Sequence, residues 1–367
     1  MVKNGRSRSL FHHVFTDHVI LLQAWICSNE NCRWHYCPSI KSTLGASLHT
    51  DLQRLYCELG ADKSYGKSES IMTAFSSGKR AVNNHQRIYK TVQLVAEKSA
   101  KLEEKNTAIK APALVAQVDG GYLHDWENKS HNYEVMVGKI YRPESIRNTS
   151  KDRTEIMSKA CAASAKKDKQ ATMKQRFLSA AKEQGLHSGT VITALSDGAR
   201  NCWSILKELE KYCLSITYIL DWFHIGKKMK TLENCLPAAS KNPLAEIKKA
   251  LWKGKTEEAL SQLQLINQTL TEKKDIERIK DFHDYIFRNA AQIINYNERQ
   301  HTNLPYTTHI AESTVEHLLN ARLRKKQKMQ WSRRGADNVL QLRATMASHQ
   351  WASVWSRFIE QHYQLAA

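Results

Sequence analysis

Leu114-Val-Ala-Gln-Val118 is a short, almost wholly apolar run that stops abruptly on Asp119-Gly120-Gly121. A run of that length bounded by turn residues reads as a buried strand. The glycines that follow leave room for a ligand beside the carboxylate. The next apolar run, Tyr133-Glu-Val-Met-Val-Gly-Lys-Ile-Tyr141, reads as the following strand of a meander. Two later runs end in the same manner as the first. Thr190-Val-Ile-Thr-Ala-Leu195 is closed by Ser196-Asp197-Gly198, with a helix predicted from about Ala199. Ser215-Ile-Thr-Tyr-Ile-Leu220 is closed by Asp221-Trp-Phe-His224. Any one of these aspartates is explained by a helix N-cap or by an Asx turn before glycine. Three strand ends, each with an acid, are more than loop chemistry requires.

Strands, a helix, further acid-tipped strands and a late helix carrying Glu316 predict an α/β chain with an RNase H-like catalytic core. In that architecture acids from the central strands and a later helix converge at one edge. Carboxylates are hard oxygen ligands suited to Mg²⁺ or Mn²⁺. Two such ions about 4 Å apart can clamp the attacking and leaving oxygens of a phosphodiester. The expected ligands are Asp119, Asp197 and Glu316. Two alternatives stand beside them: Glu312 lies one helical turn before Glu316 and faces the same way, and Asp221 competes with Asp197 for the second metal position. His224 either orients the scissile phosphate or satisfies a core contact.

The chain has 367 residues, with 55 Lys and Arg against 36 Asp and Glu, a net charge of +19. A surplus that large points to a polyanionic partner, nucleic acid first. An anionic membrane surface fits less well, because the basic residues do not lie on one amphipathic helix. No apolar run reaches the roughly 18 residues that a spanning helix needs. The start, Met1-Val-Lys-Asn-Gly-Arg-Ser-Arg, lacks the apolar stretch of a secretory signal. A cytoplasmic, nucleoid-associated protein is expected. Eight cysteines are too few in so long a chain for a disulfide scaffold.

Six segments are predicted. Residues 1–40 carry strand-like runs at Ser9–Phe15 and Val19–Ile26, then Cys27-Ser-Asn-Glu-Asn-Cys32 and Cys37. Cys27 and Cys32 form half of a zinc-ribbon-like site for Zn²⁺; the second knuckle is missing, and only His12, His13 and His18 could replace it. Residues 45–108 are helical. Leu52, Leu55, Tyr56 and Leu59 share one face before Gly60; a second helix spans Tyr65 to Phe75; a third begins near Asn83 with Ile88, Val92 and Val95 as its buried stripe. This arrangement suits a helix-turn-helix presenting Arg87 and Lys90 to the major groove, and equally a plain helical linker. Residues 112–225 hold the first part of the core, 226–310 an all-helical insertion (Leu244–Trp252, Glu257–Leu270, Ile276–Tyr296), 311–350 the helix of Glu316, and 351–367 a terminal helix. After Glu316 come Arg322, Arg324, Lys325, Lys326 and Lys328, which read as phosphate contacts or as a solvated helix face. Trp331, Arg333 and Arg334 could grip an unpaired nucleotide near the cut, although a core Trp is an equal reading.

Val118-Asp-Gly-Gly, Leu195-Ser-Asp-Gly-Ala, Asp221-Trp-Phe-His, and Thr314-Val-Glu-His followed by Arg322-Leu-Arg-Lys-Lys and Met329-Gln-Trp-Ser together resemble bacterial insertion-sequence transposases. The resemblance is to the Kra type within the Mutator-like DDE transposases, and it runs from Val2 to about Ala347. It implies that Asp119, Asp197 and Glu316 are the first, second and third catalytic acids. It also implies that Asp221 and His224 are the Cys/Asp-x-x-His signature, and that residues 226–310 are the helical insertion of such enzymes. DNA cleavage and strand transfer, two Mg²⁺ ions, terminal inverted repeats and target DNA as partners, and a dimer or larger assembly follow as expectations. Such transposases often begin with a complete zinc ribbon, whose CxxC knuckle precedes an Asn-Gly-Arg-like turn. Met1 falls almost on that turn here, so an N-terminal truncation is expected, with end-specific DNA binding weakened.

Overall fold

The Leu114–Val118 run is apolar on both faces because it lies in the middle of a sheet. In the computed structural model, which describes residues 1–76, 80–102, 108–150, 153–308, 314–324 and 329–363, this run belongs to strand β4 (Ala113–Asp125), which does not stop at Asp119 as expected but continues through Gly120 and Gly121. Its sheet has the order β10-β9-β4-β5-β8. The other strands are β5 (Asn132–Tyr141), β8 (Ala160–Ser164), β9 (Val191–Ser196) and β10 (Ser215–Leu220). β4, β9 and β10 run parallel, whereas β5 and β8 are antiparallel. The chain is therefore mixed α/β with a mixed sheet. The expected Glu312, Lys325, Lys326 and Lys328 lie outside the described residues.

Alternation along the strands divides the core. Leu114, Ala116 and Val118 of β4, with Ile192 and Ala194 of β9, face helices α5 (Ala171–Glu183) and α6 (Arg200–Leu206) through Met173, Phe177, Cys202 and Ile205. Val115, Leu195 and Ile219 point the other way, where α7 (Trp222–Cys235), α8 (Lys241–Trp252), α9 (Thr256–Thr269) and α10 (Lys273–Arg288) close over them. Side chains of a strand point to opposite faces with period two, so a sheet covered on both sides needs the continuous apolar run seen at 114–118.

Ile276–Tyr296, read from the sequence as one helix, is two. α10 stops at Arg288, a short turn covers Ala290–Gln292, and α11 is Tyr296–His301. The cause is Asn289, which is buried. Its amide donates to the Tyr285 carbonyl at 2.9 Å, and its side-chain oxygen accepts from the Trp203 indole at 3.1 Å. An Asn that satisfies itself locally competes with continuation of the helix.

The chain divides into two units, Met1–Lys105 with His124–Ser130 and Asn320–Ala367, and Asn106–Leu123 with His131–Leu319. The first holds a three-stranded sheet of β1 (Val2–His12), β2 (Asp17–Ile26) and β3 (His35–Tyr36). β1 begins well before the predicted Ser9; its first half is exposed and polar, so it has no hydrophobic pattern to read. Helices α2 (Thr50–Asp62), α3 (Tyr65–Phe75), α4 (His85–Ser99), α12 (Arg333–Ala347) and α13 (Trp351–Tyr363) complete this unit. Leu52, Tyr56, Ile88, Val92 and Val95 are fully buried within it. Two arginines close the C-terminal end of α2. Arg322 donates to the Gly60 carbonyl at 3.1 Å and Arg343 to the Ala61 carbonyl at 2.6 Å. The last carbonyls of a helix lack intrahelical partners and carry negative partial charge, so cations suit them.

Arg322 is neither the phosphate contact nor the solvated group expected, and Trp331 takes the core alternative, since both are buried, at 0% and 5% exposure. The Arg322 guanidinium lies over the rings of Tyr65 and Trp331, 5.2 and 4.9 Å from their centroids. Burial pushes its pKa down to about 10. The Trp331 indole donates to the Leu323 carbonyl at 3.2 Å. These are packing groups of the first unit. Among the described residues, no helix is long and apolar enough to cross a membrane.

Candidate functional site

β4 and β9 are in register, with Val118 opposite Ser196. Asp119 and Asp197 each come next in sequence, so the two acids stand at the same level on adjacent strands, at the carboxyl ends of the parallel part of the sheet. Neighbouring strands are about 4.8 Å apart, and both acids line one small cavity. Asp119 takes a hydrogen bond from the Gly120 N–H at 2.7 Å. Asp197 takes one from the Ala199 N–H at 2.9 Å, and its own carbonyl accepts from the Tyr285 hydroxyl at 2.9 Å. Gly198, at φ 95°, makes the turn after Asp197; a Cβ there would fall 2.8 Å from the Asn289 amide. Backbone conformation and lack of space both demand glycine.

His224 stands beside this pair. Its Nε2 is 4.0 Å from Asp119, and its Nδ1 donates to Asp221 at 2.7 Å. Asp221 is fully buried. Besides His224, it accepts from the Phe223 N–H at 3.2 Å, the Thr308 N–H at 2.9 Å and the Thr308 hydroxyl at 2.6 Å. With both oxygens engaged and no exposure, Asp221 caps α7 and orients His224. His224 therefore meets carboxylates on both sides.

The electrostatics follow from this crowding. Burial raises the Asp119 carboxyl above its ordinary value; the charges of Asp197 and Asp221 add to that rise, and His224 opposes it. Burial alone would also raise Asp221, but the hydrogen bonds from His224 and Thr308 outweigh it and hold the group low. Burial would lower His224, yet the hydrogen bond and charge of Asp221, with Asp119 and Asp197 behind it, raise it. The result is an Asp119 carboxyl pushed toward its neutral form, next to an imidazole biased toward its cationic form.

Two cavities open on these groups. A small one is lined by Asp119, Asp197, His224, Lys139, Thr308 and Thr314. A larger one of about 640 Å³ includes Asp197, His224, Arg200, Lys227, Lys228 and Arg288. Lys228 also sits 4.6 Å over the Tyr285 ring. These cations were not foreseen. Lys139 had a visible signal, as the one cation inside an apolar strand run, and it is buried at 3% exposure. Arg200 and Arg288 had none, since nothing local to either sequence marks it as facing Asp197.

Glu316, half-buried, lies on the π-helical segment Val315–Arg324. Val315 and Leu319 of that segment ride on Gly121, two residues past Asp119; a Cβ at Gly121 would fall 2.3 Å from the Leu319 side chain. Thr314 reaches the small cavity, whereas among the described residues Glu316 lines neither. Of the other expected DNA contacts, Arg87 is half-buried and donates to Ser47 at 3.1 Å, while Lys90 and Arg324 are exposed. Arg333 is half-buried at the start of α12, and Arg334 pairs with Glu97 at 2.6 Å. Cys27 and Cys32 lie together: hydrogen bonds from the Asn29 backbone and then from Cys32 lower the Cys27 thiol. Among the described residues, no third metal-ligating side chain joins them.

The chain belongs to UPF0236, an uncharacterised protein family, whose pattern matches residues 63–356. No curated protein matches it.

Proposed function

We propose that this protein is a DNA transposase of the DDE class, with an RNase H-like core interrupted by the helical segment α7–α11. One observation carries the reading: the in-register acids Asp119 and Asp197, set beside a histidine that buried Asp221 orients. The donor set fits a hard divalent cation, because two carboxylates line one cavity and burial opposes ionisation of Asp119 there. Asp119 and Asp197 would hold Mg²⁺ or Mn²⁺, with Glu316 as the third acid. When bound, such ions supply Lewis acidity at a phosphodiester and a water acidic enough to attack it.

The chain's own residues do the rest. Asp221 keeps the His224 Nδ1 proton in place, so that Nε2 is aimed at the acid pair and donates to a phosphate oxygen when protonated. Arg200, Lys227, Lys228 and Arg288 hold flanking phosphates without reading sequence. Hydrolysis leaves a free 3′-hydroxyl, which then attacks a phosphodiester of target DNA. Two element ends must be brought together, so a homodimer or larger assembly acts on double-stranded DNA, in the nucleoid. Helices α2 to α4 serve as the end-binding module, with Arg87 and Lys90 facing DNA.

The test is strand cleavage of a labelled duplex bearing the element's own terminal repeat, with Mg²⁺ or Mn²⁺. Wild type should cut at the repeat boundary, and Asp119→Ala and Asp197→Ala should not. Binding without cleavage by wild type would replace this reading with that of an inert, transposase-derived DNA-binding protein. Equal cleavage by the variants would remove these aspartates from the chemistry.

A further inference from the structure

A second set of metal-ligating side chains lies in the first unit, and the acid site makes no use of it. His13 opens the turn between β1 and β2, while His49 and Asp51 stand at the start of α2. A ring nitrogen of each histidine and a carboxylate oxygen of Asp51 all lie within 4.8 Å of one another. The two imidazoles are tilted by 54° with centroids 4.5 Å apart, so they converge and do not stack. We propose that His13, His49 and Asp51 form a binding site for a transition-metal dication, with Zn²⁺ as its occupant.

The backbone that carries these groups is fixed from several sides. The His12 N–H donates to the Ser47 carbonyl at 2.9 Å, and the His49 N–H donates to the His12 carbonyl at 2.8 Å. These two bonds lock the turn to the helix start. Arg80 holds the turn itself, donating to the carbonyls of His13 at 2.9 Å, Val14 at 2.7 Å and Thr16 at 3.0 Å, and pairing with the Asp17 carboxylate. Asp17 in turn binds the His12 ring at 2.8 Å. The Phe11 ring meets His49 edge-on at 5.7 Å. The carriers of His13 and His49 are thus held before any ion arrives, which lowers the ordering cost of ligation.

The donor set chooses the metal. Imidazole favours Zn²⁺, Co²⁺, Ni²⁺ and Cu²⁺ over Mg²⁺ and Ca²⁺, which want oxygen alone. Three protein ligands leave a position for water, and the Asp51 side chain, 63% exposed, gives access to it. Capping alone does not account for the arrangement. His49 Nδ1 accepts from the Asp51 N–H at 3.2 Å, a long bond, and histidine is not among the favoured caps. That bond occupies one of two ring nitrogens, and it has no need of His13. An ion here would fasten the N-terminal sheet to α2, independently of whether the chain cuts DNA.

The experiment uses the full chain, freed of metal by chelation and titrated with Zn²⁺, and with Co²⁺ for its visible spectrum, in excess Mg²⁺ so that the acid pair is silent. Wild type should bind one equivalent and melt at higher temperature with Zn²⁺ than without. His13→Ala and His49→Asn should each weaken that binding by roughly 100-fold or more. His49→Asn keeps a capping side chain, which separates ligation from capping. Cys27→Ser with Cys32→Ser should leave it unchanged. No bound equivalent in wild type, or binding lost only with the cysteines, would overturn the assignment.

Discussion

Arg322→Ala should lower the melting temperature by about 10 °C and leave the salt dependence of DNA binding as it was. The magnitude follows from what the guanidinium touches. Alanine loses two of its buried stem methylenes, Cγ and Cδ, worth about 0.8 kcal/mol each. Removing the donor strands the Gly60 carbonyl, a cost of about 1–3 kcal/mol. Two ring contacts, with Tyr65 and Trp331, are worth about 2 kcal/mol each when desolvated. Against these stands the several kcal/mol that burying a cation costs, which alanine does not incur. A net loss of about 3–4 kcal/mol remains, and in a unit of this size 1 kcal/mol is about 2–4 °C. Arg322→Lys should recover little, because an ammonium cannot lie flat between two rings. Thermal unfolding by circular dichroism gives the first number. The slope of log K against log salt for a duplex gives the second. A variant that melts within about 2 °C of wild type, while its salt slope falls by about 1, would refute the packing role and restore Arg322 to the DNA surface.

Three further outcomes are expected. Tyr285→Phe removes the hydrogen bond to the Asp197 carbonyl, costs about 1 kcal/mol of stability and should slow strand cleavage about tenfold; unchanged cleavage across a Mg²⁺ titration would show that this bond does not position the acid. Gly121→Val pushes against Leu319 and should destabilise by about 1–3 kcal/mol. Adding Leu319→Ala should return part of that loss, and strictly additive effects in denaturant unfolding would disprove the contact. Asp17 titrates below its ordinary value: burial works against this, but hydrogen bonds from Arg80 and His12 prevail. Its contribution is therefore complete above the unfolded value of about 3.9 and disappears as pH falls through the lower folded value. The gap in melting temperature between wild type and Asp17→Asn should be open at pH 6 and closed in strong acid; a constant gap would mean that the charge of Asp17 does not matter.

The sequence by itself located the parallel strands of the sheet, since Leu114–Val118, Val191–Leu195 and Ser215–Leu220 are apolar runs that lie within them. Spacing also determined the stripe of Ile88, Val92 and Val95, and the terminal placement of Asp197 and Asp221 follows from where their runs end, whereas β4 runs on past Asp119 to Asp125. In the sequence these three aspartates are alike, each directly after an apolar run or one residue beyond it. Which of them is open and which is consumed was decided only by the fold, because Thr308, 87 residues away, arrives to saturate Asp221. The break at Asn289 needed Trp203, 86 residues earlier. Arg322 sits in a basic run that reads as surface, and it is buried because Gly60, Tyr65 and Trp331 gather around it. Periodicity and composition are properties of neighbours along the chain, so they report strands, helices and candidate groups. Whether a charged side chain meets water, an ion or a carbonyl depends on segments that only chain closure brings together, and that desolvation is what distinguishes Asp197 from Asp221 and Arg322 from a phosphate contact.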